Sequence, residues 1–190
     1  MKKNFLIAGI LGGISLVCAL LIASFNMITS GIIADNAKKT ELATCQAIYE
    51  SYDADKSQEI EVSNDSIIKK VLAKDSNGTE LGYLYTVTGK NSYGAITLMV
   101  AIKNNKVLQV EFLENGQSFA STVVSHVKEN YPSSKDEVIY PFIKPEATPD
   151  VDALDKNQVE AIDTKCGATY GAELIKDLIN VALNDAKGGN

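Results

Sequence analysis

The segment GYLYTVTGKNSYGAITLMVAIKNNKVLQVEFLEN, Gly82 to Asn115, is the most informative part of this 190-residue chain about its fold. It contains three apolar runs that are typical of β-strands. Asn104-Asn105 separates the last two runs, and asparagine tolerates the left-handed backbone of a tight hairpin turn. Upstream, the apolar run Ile67 to Asp75 is followed by Asn77-Gly78, the strongest short-range hairpin signal. Together these signals predict an antiparallel meander.

Helical periodicity flanks this block on both sides. Ile33 to Tyr49, Ser118 to Asn130 and the tail after Thr169 repeat apolar residues at helical spacing. All four prolines lie between Tyr131 and Pro149, which predicts a loop there. The acidic stretch from Asp53 to Glu61 is typical of a solvated linker. The predicted fold class is therefore α+β, an antiparallel sheet with flanking helices.

The N-terminal segment predicts a single transmembrane helix. No charged residue occurs from Asn4 to Ala34, and Phe5 to Phe25 would span about 31 Å as a helix, close to the hydrocarbon thickness of a bilayer. A cleaved signal peptide is the alternative, but the apolar run is longer than usual and no good cleavage site follows it. Lys2 and Lys3 precede the run, which favours a cytoplasmic N-terminus.

We therefore expect a transmembrane anchor over residues 1–34, a helical stalk and linker over 35–62, and an outer domain over 63–190. The formal net charge is -6, and every basic residue is a lysine. The chain lacks the basic, arginine-bearing stripe that follows a phosphate backbone, so nucleic acid is not an expected partner. Without arginine the chain also lacks the bidentate group that most often binds a free phosphate.

The cysteines do not predict a metal site. Cys18, Cys45 and Cys166 form no CxxC pair, and His126 is the only histidine, so a zinc or iron–sulfur site cannot be assembled from them. A disulfide between Cys45 and Cys166 is formally possible. Cys166 as a nucleophile or redox thiol is an alternative, but no histidine lies beside it in sequence to activate it.

The segment DTKCGATYG, Asp163 to Gly171, is the candidate ligand-binding segment of the chain. Cys166, Gly167 and Ala168 are small, so backbone amides there can approach a ligand closely. A helix is predicted to begin within a residue or two. Its unpaired N–H groups and positive dipole end would stabilise an anion on the Thr169 hydroxyl. The alternative is a simple helix-cap turn without a ligand.

Asp163, Gly167, Ala168 and Thr169 match the pattern Asp-x-x-[Ser/Thr]-Gly-Ala-Thr. This resembles the flavinylation motif of the FMN-binding domain in the G subunit of Rnf complexes and in the C subunit of sodium-translocating NADH:quinone reductases. The order of anchor, Thr29-Ser-Gly-Ile-Ile-Ala and strand pair also resembles the Rnf G subunit, and the short length favours that subunit. The resemblance implies FMN joined by a phosphoester to Thr169, attached by a flavin transferase that recognises Asp163.

Two departures from the family pattern concern the cofactor site. Cys166 stands where the family has serine or threonine, and its thiol is a weaker donor and acceptor than a hydroxyl. After the last strand the chain has Glu114-Asn-Gly-Gln-Ser-Phe, where the family commonly has Glu-Thr-Pro-Gly-Leu-Gly near the isoalloxazine ring. The expected cofactor-binding residues are those of the motif, followed by two glycines near the ring: Asp163, Cys166, Gly167, Ala168, Thr169, Gly94 and Gly116. Tyr93 is a further candidate.

By this resemblance the protein is an electron-transfer subunit of an ion-translocating oxidoreductase, with no catalytic residue of its own and no turnover alone. The complex couples ferredoxin oxidation and NAD reduction to sodium or proton translocation. Expected partners are polytopic and iron–sulfur or flavin subunits, a flavin transferase and the lipid bilayer. The expected location is the inner cell membrane, with the FMN-binding domain outside the cytoplasm. The alternatives are a stand-alone extracellular flavoprotein of another electron chain and a flavin-free anchored assembly module.

Overall fold

A computed structural model describes residues 2–133 and 151–188 of the chain, in two units whose boundary lies between Glu41 and Leu42. Helix α1 (Lys2–Ile48) supplies the whole described part of the first unit. The most apolar window of Gly9–Ile48 has a mean hydropathy of 2.1, and none of it is buried. Among the described residues, α1 is the one helix long and apolar enough to cross a membrane. The predicted apolar helix is confirmed, and its insertion in a bilayer stays a prediction.

The second unit contains a five-stranded antiparallel sheet in the order β1-β2-β3-β4-β5. The strands are β1 (Gln58–Ile60), β2 (Ile67–Lys74), β3 (Glu80–Asn91), β4 (Gly94–Lys103) and β5 (Lys106–Asn115). Each strand pairs with the next along the chain, so the predicted meander is confirmed. Asn104 and Asn105 have φ angles of 53° and 59°, the left-handed conformation that this tight turn requires.

Strand β1 lies inside the stretch that the sequence predicted as a solvated linker. Gln58, Glu59 and Ile60 pair with Leu72, Val71 and Lys70 of β2. None of the three β1 residues is buried, so no alternation of apolar and polar residues marks the strand. The strand is held by backbone hydrogen bonds at the edge of the sheet, which a hydropathy pattern does not reveal.

Within the described residues three helices follow the sheet: α2 (Ala120–Asn130), α3 (Lys156–Ala161) and α4 (Thr169–Ala186). Helices α2 and α4 were predicted, whereas α3 was not. A capping box starts α3, because Asp155 accepts from the Gln158 backbone N–H at 3.0 Å and Gln158 Oε1 accepts from the Asp155 backbone N–H at 2.9 Å. From residue 134 to 149 the predicted proline loop lies outside the described residues.

The sheet separates two apolar cores. Helices α2 and α4 pack with β3, β4 and β5 in the larger core, to which α4 contributes Ile175, Ile179 and Leu183. The smaller core contains Cys45 near the end of α1, with its Sγ 3.7 Å from Met99 Sδ. Because β4 is covered on both sides, its run AITLMVAIK is almost continuously apolar. All three cysteines are free, so the possible disulfide between residues 45 and 166 is not formed.

An ion pair attaches the last turn of α4 to the sheet. Lys70 Nζ of β2 lies 2.6 Å from Asp185 Oδ2, and the Tyr85 hydroxyl of β3 donates to the same oxygen at 2.9 Å. The ammonium of Lys70 also lies 5.1 Å and 5.2 Å from the ring centroids of Tyr83 and Tyr85. These contacts fix the far end of α4, while its first turn lies by the β3–β4 turn.

His126 of α2 predicts a pH dependence of stability. Its side chain is buried, and this burial lowers its pKa below the ordinary value of 6.5, although Glu129 and Asp163 oppose the shift. The unfolded state therefore binds the proton more tightly, so the free energy of unfolding decreases as pH falls below about 6.5. We expect His126→Leu to remove this part of the decrease in thermal unfolding followed between about pH 7.5 and about pH 5. Equal slopes for both proteins would contradict it.

Candidate functional site

Helix α4 begins within the segment that the sequence singled out. Its N-cap is Ala168, with φ -132° and ψ 48°, and no side chain caps the turn. The first turn also contains no acidic residue. The backbone N–H of Gly171 donates back to Ala168 O at 2.9 Å. The start of α4 therefore offers a positive dipole end, and its own first turn contains no acidic side chain that would neutralise it.

The Thr169 hydroxyl lies at this helix start and is half-buried. It donates to the backbone carbonyl of Cys166 at 2.8 Å. Cys166 Sγ in turn accepts from the backbone N–H of Ala168 at 3.4 Å. The turn is thus held by hydrogen bonds within residues 166–169, and the Thr169 oxygen keeps its lone pairs for a further contact.

A cavity of about 200 Å³ opens beside this turn. It is lined by Tyr93, Gln117, Phe119, Gly167, Ala168, Thr169, Tyr170 and Gly171. None of these side chains is charged. Its rim is aromatic and solvent-exposed, since Tyr93, Phe119 and Tyr170 are 42%, 55% and 62% exposed. The rings of Tyr93 and Tyr170 stack with centroids 5.5 Å apart and an interplanar angle of 18°.

Asn91, at the end of β3, joins the β3–β4 turn to the first turn of α4. Its Nδ2 donates to the Tyr170 carbonyl at 2.9 Å, and its Oδ1 accepts from the Tyr93 backbone N–H at 2.9 Å. Gly94, which follows Tyr93, has φ 139° and lies against the backbone of Gly116. These contacts place the Tyr93 ring over the cavity.

The structure brings together part of the predicted site. Gly167, Ala168 and Thr169 line the cavity, as does the candidate Tyr93. Cys166 lies behind the turn, where its sulfur and carbonyl accept hydrogen bonds.

The remaining predicted residues do not line the cavity. The backbones of Gly94 and Gly116 lie against each other, and neither residue lines the cavity. Asp163 is exposed, and its Oδ1 accepts from the Lys165 backbone N–H at 2.9 Å. This carboxylate is accessible from solvent, outside the lining residues.

Sequence reasoning missed four of the lining residues: Gln117, Phe119, Tyr170 and Gly171. The one signal in the sequence was a glycine, Gly171, in the first turn of an apolar helix. The structure gives the reason for it, because a Cβ added at Gly171 would lie 2.7 Å from Val123 Cγ2. Gln117 lies between β5 and α2, outside any periodic segment, and Phe119 was predicted only as an apolar position of the helix over Ser118 to Asn130. Only the folded chain shows where they point.

The sulfur in the turn predicts the outcome of two substitutions. Cys166→Ser replaces a weak acceptor by a hydroxyl, so we expect the fold to be kept and the free energy of unfolding to change by less than about 1 kcal/mol. Cys166→Ala removes the acceptor of the Ala168 N–H and should cost about 0.5–1.5 kcal/mol. Thermal unfolding of the two variants side by side checks this. Equal stability of the two variants would show that the sulfur contact contributes nothing.

Comparison with family models, curated proteins and solved structures finds no match to this chain. The family resemblance therefore rests on residues 163–169 and on the order of the elements around them. Within the described residues, no group of three or more histidine, cysteine, aspartate or glutamate side chains could hold a metal ion.

Proposed function

We propose that this protein is a membrane-anchored electron-transfer subunit that carries FMN through a phosphoester to Thr169. The observation that supports the proposal is a single cavity in which the Thr169 hydroxyl, the start of α4 and an aromatic rim occur together. The hydroxyl would carry the phosphate of FMN, the start of α4 would stabilise the negative charge of that phosphate, and the aromatic rim would contact the flavin ring.

The environment of Thr169 suits a phosphate group. Thr169 is the first residue of α4, so its hydroxyl lies at the positive end of the helix dipole, which stabilises negative charge. Gly167 and Ala168 bring no large side chain that would hinder approach. Because the chain has no arginine, a covalent link is the means of retention that suits this site best.

The rest of the cavity suits a planar aromatic ring. The uncharged lining and the stacked pair Tyr93 and Tyr170 provide apolar and aromatic surface, while Phe119 offers a further ring at the rim. Aromatic rings pack on one another with favourable energy, so these side chains offer a suitable surface to a flavin ring. The residues present therefore fit an esterified flavin. When bound, FMN supplies the exchange of one or two electrons, and the protein positions it.

Two features support a role within a larger membrane assembly. The rim residues of the cavity are exposed, so a redox centre of another subunit could approach the ring there. Helix α1 would anchor the protein, with Lys2 and Lys3 on the cytoplasmic side and the cavity outside. We propose an Rnf-type complex that couples ferredoxin oxidation and NAD reduction to sodium or proton translocation, with polytopic and iron–sulfur subunits as partners.

Intact mass of the native protein tests this function. We expect the mass of one esterified FMN above that of the chain, together with acid-stable flavin fluorescence in a denaturing gel. Co-purification of polytopic and iron–sulfur subunits tests the assembly. A native protein of unmodified mass would overturn the proposal.

A flavin-free helix-cap turn is the second candidate. The hydrogen bond from the Thr169 hydroxyl to the Cys166 carbonyl favours it, since such local bonds occur in turns without a ligand. The same mass measurement separates the two, because only the flavoprotein is heavier than its chain.

A further inference from the structure

Gln117 is a polar residue in the wall of the cavity, and it is only 7% exposed. Its Nε2 donates to Asn91 Oδ1 at 3.1 Å and to the Gly94 carbonyl at 2.5 Å. Both amide protons are therefore used. The carbonyl oxygen Oε1 accepts no hydrogen bond from any of the described residues.

The orientation of this amide is set by its neighbours. Asn91 Nδ2 donates to the Tyr170 carbonyl, and Asn91 Oδ1 accepts from the Tyr93 backbone N–H, so Asn91 can turn only an oxygen toward Gln117. A flipped Gln117 would place Oε1 against that oxygen and against the Gly94 carbonyl, two acceptors without a donor. Oε1 consequently faces the other way.

That side is the first turn of α4, whose residues also line the cavity. A Cβ added at Gly171, itself a lining residue, would lie 3.4 Å from Gln117 Oε1. The oxygen therefore lies beside Gly171 in the first turn of α4. An amide oxygen without a donor, on a residue that lines the cavity, is suited to a ligand that brings one.

We propose that Gln117 Oε1 accepts a hydrogen bond from a donor of the ligand in this cavity and thereby selects flavins that present one. The inference rests on the proposed function, because it takes the ligand to be a flavin. Two donors on a flavin have the required chemistry: the ring N3–H and the hydroxyl groups of the polyol chain. The aromatic rim supplies contact area without this selectivity, since every flavin has the same ring face.

The test uses the full-length protein, produced without a flavin transferase and held in detergent micelles. Four free ligands are titrated and followed by flavin fluorescence: lumiflavin, 3-methyllumiflavin, riboflavin and 3-methylriboflavin. Lumiflavin lacks the polyol, and the methylated forms lack the ring N3–H. Each is measured on the wild type, on Gln117→Met, and on Phe119→Leu as the matched control that changes the rim and leaves the acceptor.

Two pairs are compared: lumiflavin with 3-methyllumiflavin, and riboflavin with lumiflavin. In one of these pairs we expect the wild type to bind the member with the additional donor about 3- to 10-fold more tightly, as for one neutral hydrogen bond. Gln117→Met should remove that preference, and Phe119→Leu should weaken both members equally. A preference for lumiflavin over 3-methyllumiflavin identifies the ring N–H as the donor. A preference for riboflavin over lumiflavin identifies the polyol. Because ligands are compared on the same variant, damage to the fold cancels in the ratio.

Three results would overturn the inference: no binding of these ligands by the wild type, no preference within either pair, or a preference that persists in Gln117→Met. Gln117→Ala, which leaves room for water, is the second truncation and carries the same expectation. Failure here is distinct from failure of the proposed function. A native protein with flavin on Thr169 and no preference that depends on Gln117 would refute only the acceptor role.

Discussion

Thr169→Ala is expected to abolish covalent flavin attachment completely. The substitution removes the only oxygen on that side chain, and no phosphoester can form without it. Protein made together with a flavin transferase should show the mass of the unmodified chain and no acid-stable fluorescence in a denaturing gel.

This loss should occur without unfolding. The hydroxyl makes one hydrogen bond, to the Cys166 carbonyl, so its removal should cost about 0.5–1.5 kcal/mol of the free energy of unfolding. Thr164→Ala is the matched control, because it removes a hydroxyl five residues earlier and keeps the backbone bond from the Cys166 N–H to the Thr164 carbonyl. That control should carry flavin as the wild type does. Flavin retained on Thr169→Ala would refute the assignment of the attachment site.

Gly94→Ala is expected to cause a large loss of stability in the unit formed by residues 42–190. Gly94 has φ 139°, a conformation that residues with a Cβ rarely adopt, and a Cβ there would overlap the carbonyl oxygen of Gly116. Backbone strain and overpacking together should cost about 2–5 kcal/mol. Thermal unfolding of the full-length protein in detergent measures the cost.

The structure offers a control that separates the two causes. Gly78 also has a positive φ, 82°, but a Cβ there would meet nothing within 4 Å. Gly78→Ala therefore measures strain alone and should cost about 1–2 kcal/mol. If the two variants were equally stable, the contact between residues 94 and 116 would not contribute. Because the Gly94 carbonyl also accepts from Gln117, the first variant should loosen the cavity wall as well.

The strands and the two larger predicted helices were accessible from sequence because their signals are local. The apolar runs around residues 82–115 and the turn residues Asn77-Gly78 and Asn104-Asn105 specify strands and hairpins within a few positions. Strand β1 was missed because it buries no side chain. Helix α3 was missed because its six residues are too few to show a helical repeat, although Asp155 and Gln158 have the spacing of a capping box.

Local residue patterns are enough to predict the apolar N-terminal helix, the antiparallel meander and a helix that begins at the Thr169 turn, because each depends on neighbours along the chain. The cavity depends on the tertiary structure. Its walls come from the β3–β4 turn, the segment after β5 and the start of α4, which the packing of α4 on the sheet and the Asn91 amide bring together. The direction of the Gln117 carbonyl follows from these long-range hydrogen bonds, and residue spacing contains no information about it.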